Sequence, residues 1–348
     1  MVLGERDRRL GEALYSSRSQ IALRMVSIGD DSPGEGLWRQ RLATAVAFRD
    51  GLHIDATAYR VVHGEADRLP SLVIDRYGDY LVIQTLSQGV DRRMTELTQA
   101  LVEILSPKGI LARNDPKVRG LEGLEQTVTV VYGEIPDIVQ VREGEVHYRA
   151  DLRHGQKTGL FLDQRENRVA ASHYARGRLL DCFSYNGAFA LSLAKYCSEV
   201  VAIDASADAV TRITQNATLN GVTNVTARDA NVFDELRHFE KSGERFQTIV
   251  LDPPAFAKNK AAVDNALAGY KDINLRALRI LEPGGVLVTC SCSYNVDEPM
   301  FLQVLADAAA DARAHVTILE KRMQGRDHPV LLTVPETYYL KCVILRKH

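Results

Sequence analysis

No apolar run in this chain approaches the roughly 18 to 20 residues a membrane-spanning helix requires, which excludes a helical membrane protein. The amino terminus, MVLGERDRRL, lacks the apolar centre of a secretory signal, so a cytoplasmic location is expected. Cysteine is sparse and odd in number: Cys182, Cys197, Cys290, Cys292 and Cys342 are the five. Their spacing matches no zinc pattern and supports no disulfide framework, so neither metal nor cross-link is expected. Excess positive charge is missing as well. With 43 basic and 45 acidic residues the formal net charge is −2, so any polyanion must be held by local patches rather than by the whole surface. Internal repeats and low-complexity segments are also absent. What remains is ordinary globular composition, 45% hydrophobic and 25% charged, in a chain of 348 residues with room for two domains.

Along the chain, residues 1–30 contain little more than QIALRMV, one or two short strands, too few for an independent β domain. The stretch DDSPGEGLWRQRLATAVAFRDGL predicts a helix from about Pro33 to Gly51, with proline in its first turn and glycine after its end. YRVVHGE, LVIDRYG and DYLVIQTL read as strands, and Arg76-Tyr77-Gly78-Asp79 as a hairpin connection. A helix near 90–105 and the strands ILARND, VTVVYGE and VHYRADL complete a small mixed α/β domain over 31–150. From 151 to 348 the texture changes to short apolar strands alternating with helical segments. That pattern predicts an α/β fold, a mostly parallel Rossmann-like sheet with helices on both faces. Ligands of such sheets bind beyond the carboxyl ends of the strands, and the polar signals fall there.

The first of these strands leads into Phe183-Ser184-Tyr185-Asn186-Gly187, where Gly187 permits close approach of a ligand to the backbone. The loop holds one glycine only, so no pyrophosphate fingerprint exists, and a plain tight turn is an equal reading. The second strand ends in Asp204, 23 positions after Asp181, where a carboxylate can accept from two ribose hydroxyls. It could also help Ser206 and Asp208 start the next helix. Asp229-Ala230 closes the third strand, with Asp229 suited to an adenine amino group or simply a solvated turn. The fourth strand leaves the sheet through Asp252-Pro253-Pro254 and Phe256. Two prolines fix the backbone there and supply no N–H donors, so carbonyls and an aromatic ring can face a flat base. A rigid loop with a packed Phe256 is the bland alternative.

With these residues in view, the stretches KTGLFLDQRENR, LDCFSYNGAFALSLA, VVAIDAS, LDPPAFAKNK, GYKDIN and TCSCS resemble the class I S-adenosylmethionine-dependent methyltransferases. Within them the chain looks most like the bacterial family that methylates C5 of a cytosine in 23S ribosomal RNA. The resemblance implies S-adenosylmethionine as cofactor and ribosomal RNA as partner; self-association to a homodimer stays open. It implies that the block HGQKTGLFLDQR, with Phe161, Asp163 and Arg165, folds over the cofactor beside Phe183, Ser184, Asn186, Gly187, Asp204, Ser206, Asp229, Ala230, Asp252 and Pro253. It also makes residues 4–27 the end of an RNA-binding PUA domain that is otherwise missing, through truncation or loss of the module.

In that family a thiolate adds to C6 of the cytosine, and the resemblance assigns this role to Cys292, at the end of GGVLVTCSC. Cys290, two residues deeper, reads as core packing. A neighbouring cation should favour the thiolate, and Lys157, Lys258 and Lys271 are the candidates. Ala255 replaces a second cysteine that many such enzymes carry after the strand-four proline, which leaves Asp252 as the candidate base for the C5 proton. Pro254, Phe256, Lys258, Tyr270 and Lys271 are expected to meet the substrate, Tyr270 and Phe256 by stacking. Arg165, Arg168, Arg176, Arg178 and Lys260 could hold phosphates or simply face solvent. Lys341-Cys342 in the last strand reads as structural. Competing readings are methylation of an exocyclic amine through Asp252-Pro253-Pro254-Phe256, a nicotinamide-dependent oxidoreductase, and an inactive RNA-binding protein.

Overall fold

The computed structural model describes residues 1–29, 34, 36–257 and 259–348. The chain forms two compact units. The first comprises Met1–Glu145, Arg149–Leu162 and Arg326–Thr337, so the division expected at residue 150 becomes an interleaved one.

Within the first unit, β1 (Val2–Leu3), β2 (Arg9–Tyr15) and β3 (Leu23–Ile28) make a three-stranded antiparallel sheet. The helix expected from Pro33 is α1 (Leu37–Gly51); Pro33 itself lies outside the described residues. A second sheet runs β4 (Ala58–His63), β5 (Leu72–Tyr77), β6 (Tyr80–Thr85), β7 (Gly109–Asn114), β8 (Thr127–Gly133) in that spatial order. Gly78-Asp79 is the turn between β5 and β6, with Gly78 at φ 60°. The short α2 (Gln88–Asp91) and the longer α3 (Met94–Leu105) follow β6, and α4 (Val118–Leu121) follows β7. Trp38, Leu42, Leu97 and Leu101 pack with Leu72, Ile74, Ile83 and Ile110 in the core of this unit. Then comes β9 (Val139–Glu143), followed in the chain by β10 (Val146–Ala150), whose first three residues belong to the second unit.

The late segment Arg326–Thr337 joins this unit through charge. Asp327 accepts from the Arg60 backbone N–H at 2.8 Å, and its carbonyl accepts from the Arg49 guanidinium at 2.8 Å. Arg49 also pairs with Asp67 and Arg60 with Asp75, all of them largely buried. A buried charge is tolerated when it is paired and hydrogen-bonded in this way.

The second unit holds the sheet that matters for chemistry. After α5 (Arg165–Ser172) come β11 (Gly177–Cys182), α6 (Ala188–Ala194), β12 (Cys197–Asp204), α7 (Ala207–Leu219), β13 (Val225–Asp229), α8 (Val232–Ser242) and β14 (Phe246–Leu251). They are followed by α9 (Val263–Ile280), β15 (Leu281–Ser291), α10 (Glu298–Ala312), β16 (Val316–Arg322) and β17 (Lys341–Lys347). The strand order is β13-β12-β11-β14-β15-β17-β16, parallel except where β17 pairs antiparallel with both neighbours.

Both faces of this sheet are buried, which explains why its strands read as unbroken apolar runs. Leu180, Ile203, Leu251 and Leu287 face one core with Phe239, Tyr270 and Phe301 of α8, α9 and α10. Leu179, Ala202, Val250 and Val288 face the other, with Ala170, Phe189 and Ile213 of α5, α6 and α7. Strand order reverses between β11 and β14, and a crevice opens outside the carboxyl ends of strands at such a point. Among the described residues no helix is long and apolar enough to cross a membrane.

Candidate active site

The loop after β11 is built under strain. Phe183 and Tyr185 sit at φ 63° and 53°, a region that bulky side chains seldom occupy, and Gly187 at φ 81°. A Cβ on Gly187 would meet Ile213 at 3.3 Å, so glycine serves both the backbone angle and the packing. Hydrogen bonds hold the turn in place. Ser184 N–H donates to the Ile203 carbonyl at 3.0 Å, and Tyr185 N–H donates to the Asp204 carboxylate at 2.9 Å. The other Asp204 oxygen accepts from Ser206 N–H at 3.1 Å, while the Ser206 hydroxyl caps α7 by accepting from Ala209 N–H. Ser206 thus contributes its backbone N–H to the site and its hydroxyl to the helix.

Asp181, beneath this loop, is fully buried. Its carboxylate accepts from the Ser184 hydroxyl and from Ala190 N–H at the head of α6. Burial, with the nearby Asp252 and Asp204 carboxylates, pushes it up to about 7 against the pull of those hydrogen bonds. A raised carboxylate binds its proton more tightly in the folded chain than in the unfolded one. Its stabilising contribution is therefore complete below the ordinary value near ~3.9 and is lost as pH climbs toward 7. Relative to the wild type, Asp181→Asn should accordingly gain ~2–3 kcal/mol of unfolding free energy between pH 5 and pH 8. Urea unfolding at the two pH values measures this, and a difference independent of pH would refute it.

At the end of β14, Pro253 is buried, Pro254 exposed, and the Asp252 carboxylate accepts from the Gln164 amide at 2.8 Å. Gln164 in turn accepts from Asn167 at 2.6 Å. The Cys292 thiol, just beyond β15, donates to the Pro253 carbonyl at 3.6 Å. Strand ends remote in sequence thus put a thiol against the Asp-Pro-Pro turn. Cys292 is also the one cysteine of five that is not buried. Cys290 is fully buried opposite Cys342, and burial raises its thiol well above the usual range.

Aromatic rings gather beside that turn. Phe256 lies 6.3 Å from Phe183, 6.0 Å from Phe233 and 4.7 Å from Tyr270. Phe183, Phe233 and Phe256 stay partly exposed, whereas Tyr270 is completely enclosed and hydrogen-bonds Ser293 at 2.9 Å. Stacking of Tyr270 on a substrate is therefore corrected: with its ring in the core, it braces the Cys292 loop instead. Lys271 pairs with Asp311 of α10 at 2.8 Å through a side chain that stays partly exposed. Lys258 lies outside the described residues.

Arg176 and Arg178 sit at the amino edge of β11. Arg178 pairs there with Glu199 and Glu244, and Arg176 donates to the Gly284 carbonyl. The opposite end of the strand carries the site, so these two do not serve it. Arg168 is buried near the Phe189 ring, while Lys260 is exposed in a short turn of helix. Arg165 is buried and pairs with Glu166, and Asp163 accepts from the Tyr339 hydroxyl at 2.6 Å. Phe161 belongs to the first unit, under the Lys157 ammonium. Asp229 is exposed at the end of β13, and Ala230 N–H donates to the Asp204 carbonyl at 3.0 Å. Gln164, Tyr185, Phe233 and Lys341 were not singled out as site residues from sequence. Gln164 and Tyr185 lay inside quoted motifs; Phe233 and Lys341 carried no local signal.

Comparison with known proteins bears on the family and on the fold. The model of a family described as S-adenosylmethionine-dependent methyltransferase matches residues 122–335. The ribosomal RNA large subunit methyltransferase I of Tolumonas auensis is 40% identical over 354 residues, covering 99% of this chain and 89% of the relative. Its counterpart in Aeromonas hydrophila is 41% identical over 346 residues, covering 97% and 87%. Among solved structures, a putative SAM-dependent methyltransferase from Streptococcus mutans superimposes with a TM-score of 0.84 at 20% identity, covering 99% of this chain and 90% of that one. A putative methyltransferase complexed with SAH reaches 0.86 at 21% identity, with the same coverage. These two likenesses concern the fold.

Proposed function

Because this chain belongs to the S-adenosylmethionine-dependent methyltransferase family, we propose that it methylates C5 of a cytosine in large-subunit ribosomal RNA, with Cys292 as covalent nucleophile. The observation that carries the reading is the partly exposed Cys292 thiol against the Pro253 carbonyl, at the carboxyl end of the sheet. The relatives' names supply the ribosomal RNA. Family membership leaves the nicotinamide alternative without support.

The residues present fit the cofactor. Two backbone N–H groups anchor the Asp204 carboxylate, which keeps further lone pairs for two ribose hydroxyls. Gly187, at φ 81°, lets the loop after β11 turn tightly against Ile213 and Leu191 beside that carboxylate. Phe183, Ser184, Asn186, Asp229, Ala230 and Pro253 would line the rest, and Asp163 and Arg165 of the same unit belong to the segment expected to cover it. When bound, S-adenosylmethionine supplies an electrophilic methyl on a sulfonium and leaves as a neutral thioether.

The chain's own contribution begins with the Cys292 thiolate forming a bond to C6 of the cytosine. The electrons of the C5–C6 double bond then reside on C5, which becomes nucleophilic. After C5 has gained its methyl, Asp252, oriented by Gln164, takes the C5 proton. The electrons of that C–H bond re-form the double bond, and the S–C6 bond breaks to return the thiolate. Pro254 and Phe256 border the base, and Lys258 is the expected phosphate contact.

Mass mapping of ribosomal RNA from cells lacking the gene should show one large-subunit cytosine short by a methyl group, restored by complementation. A missing methyl on an exocyclic amine would replace this reading with the alternative chemistry, and no missing methyl would overturn it.

A further inference from the structure

Lys341 and Cys292 are distant in sequence, but β17 pairs antiparallel with β15, setting Lys341 opposite Ser291 and Cys342 opposite Cys290. The end of β17 thus borders the turn that carries Cys292. The Lys341 side chain is buried, 3% exposed, and its ammonium donates to the carbonyls of Ser293 at 2.8 Å and Tyr339 at 2.9 Å. Both acceptors are neutral. Among the described residues no carboxylate lies within ion-pairing distance of this ammonium.

A buried ammonium without a counter-ion is costly, so the groups that support its charge are informative. Burial pushes Lys341 down to about 8, and what favours its charged form is first the thiolate of Cys292 and then Asp297, the N-cap of α10. From α9, the Tyr270 hydroxyl also feels the charge on Cys292. Tyr270 and Lys341 meet at one residue: Ser293 takes the tyrosine on its hydroxyl and the lysine on its carbonyl. Of the cations expected from sequence, Lys271 pairs with Asp311, Lys157 lies over Phe161, and Lys258 lies outside the described residues.

We propose that Lys341 is the positioning residue that favours ionisation of the Cys292 thiol and holds the turn on which it is presented. Lys341 does so through its charge and through the Ser293 carbonyl, without touching the substrate. This rests on the reading of Cys292 as nucleophile, yet it is tested without methyl transfer.

Because the other four cysteines are buried, iodoacetamide alkylation followed across pH and located by peptide mapping reports on Cys292. In the wild type the midpoint should fall below the ~8.5 of a free thiol. Lys341→Met should raise it by about one to three pH units, the range an adjacent opposite charge commands. Lys341→Arg, which keeps the charge, should stay near the wild type. Equal midpoints in the wild type and Lys341→Met overturn the proposal. An equal rise in both variants, the mark of a packing effect, overturns it as well.

A reciprocal measurement guards against misfolding of the lysine variants. In Cys292→Ser, lysine-labelled NMR should show Lys341 losing its proton at lower pH than in the wild type, and an unmoved titration counts against the proposal. Should alkylation behave as expected while Cys292→Ser still methylates RNA, the ion pair stands and the nucleophile assignment falls.

Discussion

Replacing Cys292 by serine is expected to lower kcat by on the order of 10⁴-fold or more, with cofactor affinity and fold retained. The size follows from chemistry. A hydroxyl is almost wholly protonated at neutral pH, so no anion is available to open the C5–C6 double bond, and C5 keeps its poor nucleophilicity. The fold should tolerate the change because Cys292 is only half-buried and its hydrogen bond to the Pro253 carbonyl can be made by a hydroxyl. Single-turnover methylation of a large-subunit RNA transcript measures the loss. The complementary result is a trapped complex: on RNA carrying 5-fluorocytidine, methylated C5 has no proton for Asp252 to remove, so the S–C6 bond should persist in the wild type and be absent in Cys292→Ser. A serine variant that methylates at a comparable rate would exclude covalent activation.

What could be read ahead of the structure follows from how a parallel sheet is made. Each strand ends at the same edge, so Gly187, Asp204, Asp252 and Cys292 were visible as the polar ends of four apolar runs, each in its own short motif. Contacts between those ends were not visible. Gln164 reaches Asp252, and Lys341 reaches the Cys292 turn, only because the strands are ordered and paired as they are. Tyr270 shows a different limit. On an amphipathic helix an aromatic ring suits either the core or a ligand, and here the core took it. The interleaved division has the same origin, since Asp327 finds its partners in Arg49 and Arg60, far earlier in the chain. Charge patterning was the least informative signal. Arg178 and Lys271 look like phosphate contacts in sequence; both are engaged by acidic side chains, Arg178 at the edge of the sheet opposite the site.

Asp204→Ala should weaken S-adenosylmethionine binding by about 10²- to 10⁴-fold, while Cys292→Ser leaves it unchanged. Hydrogen bonds to a charged group contribute about 1.5–3 kcal/mol each, and two ribose hydroxyls share this carboxylate in the proposed complex. The loss extends to the loop itself. Without the carboxylate, Tyr185 N–H and Ser206 N–H lose their acceptor, and the left-handed Phe183 and Tyr185 lose a bond that holds them in an unfavourable backbone region. Asp204→Asn keeps one carbonyl acceptor and gives up the charge, so it should fall between alanine and the wild type. Calorimetric titration with S-adenosylmethionine separates the three. If alanine changed the dissociation constant by less than about threefold, a fraction of one such bond, the ribose would have to be held elsewhere and the site at the end of β12 would be misplaced.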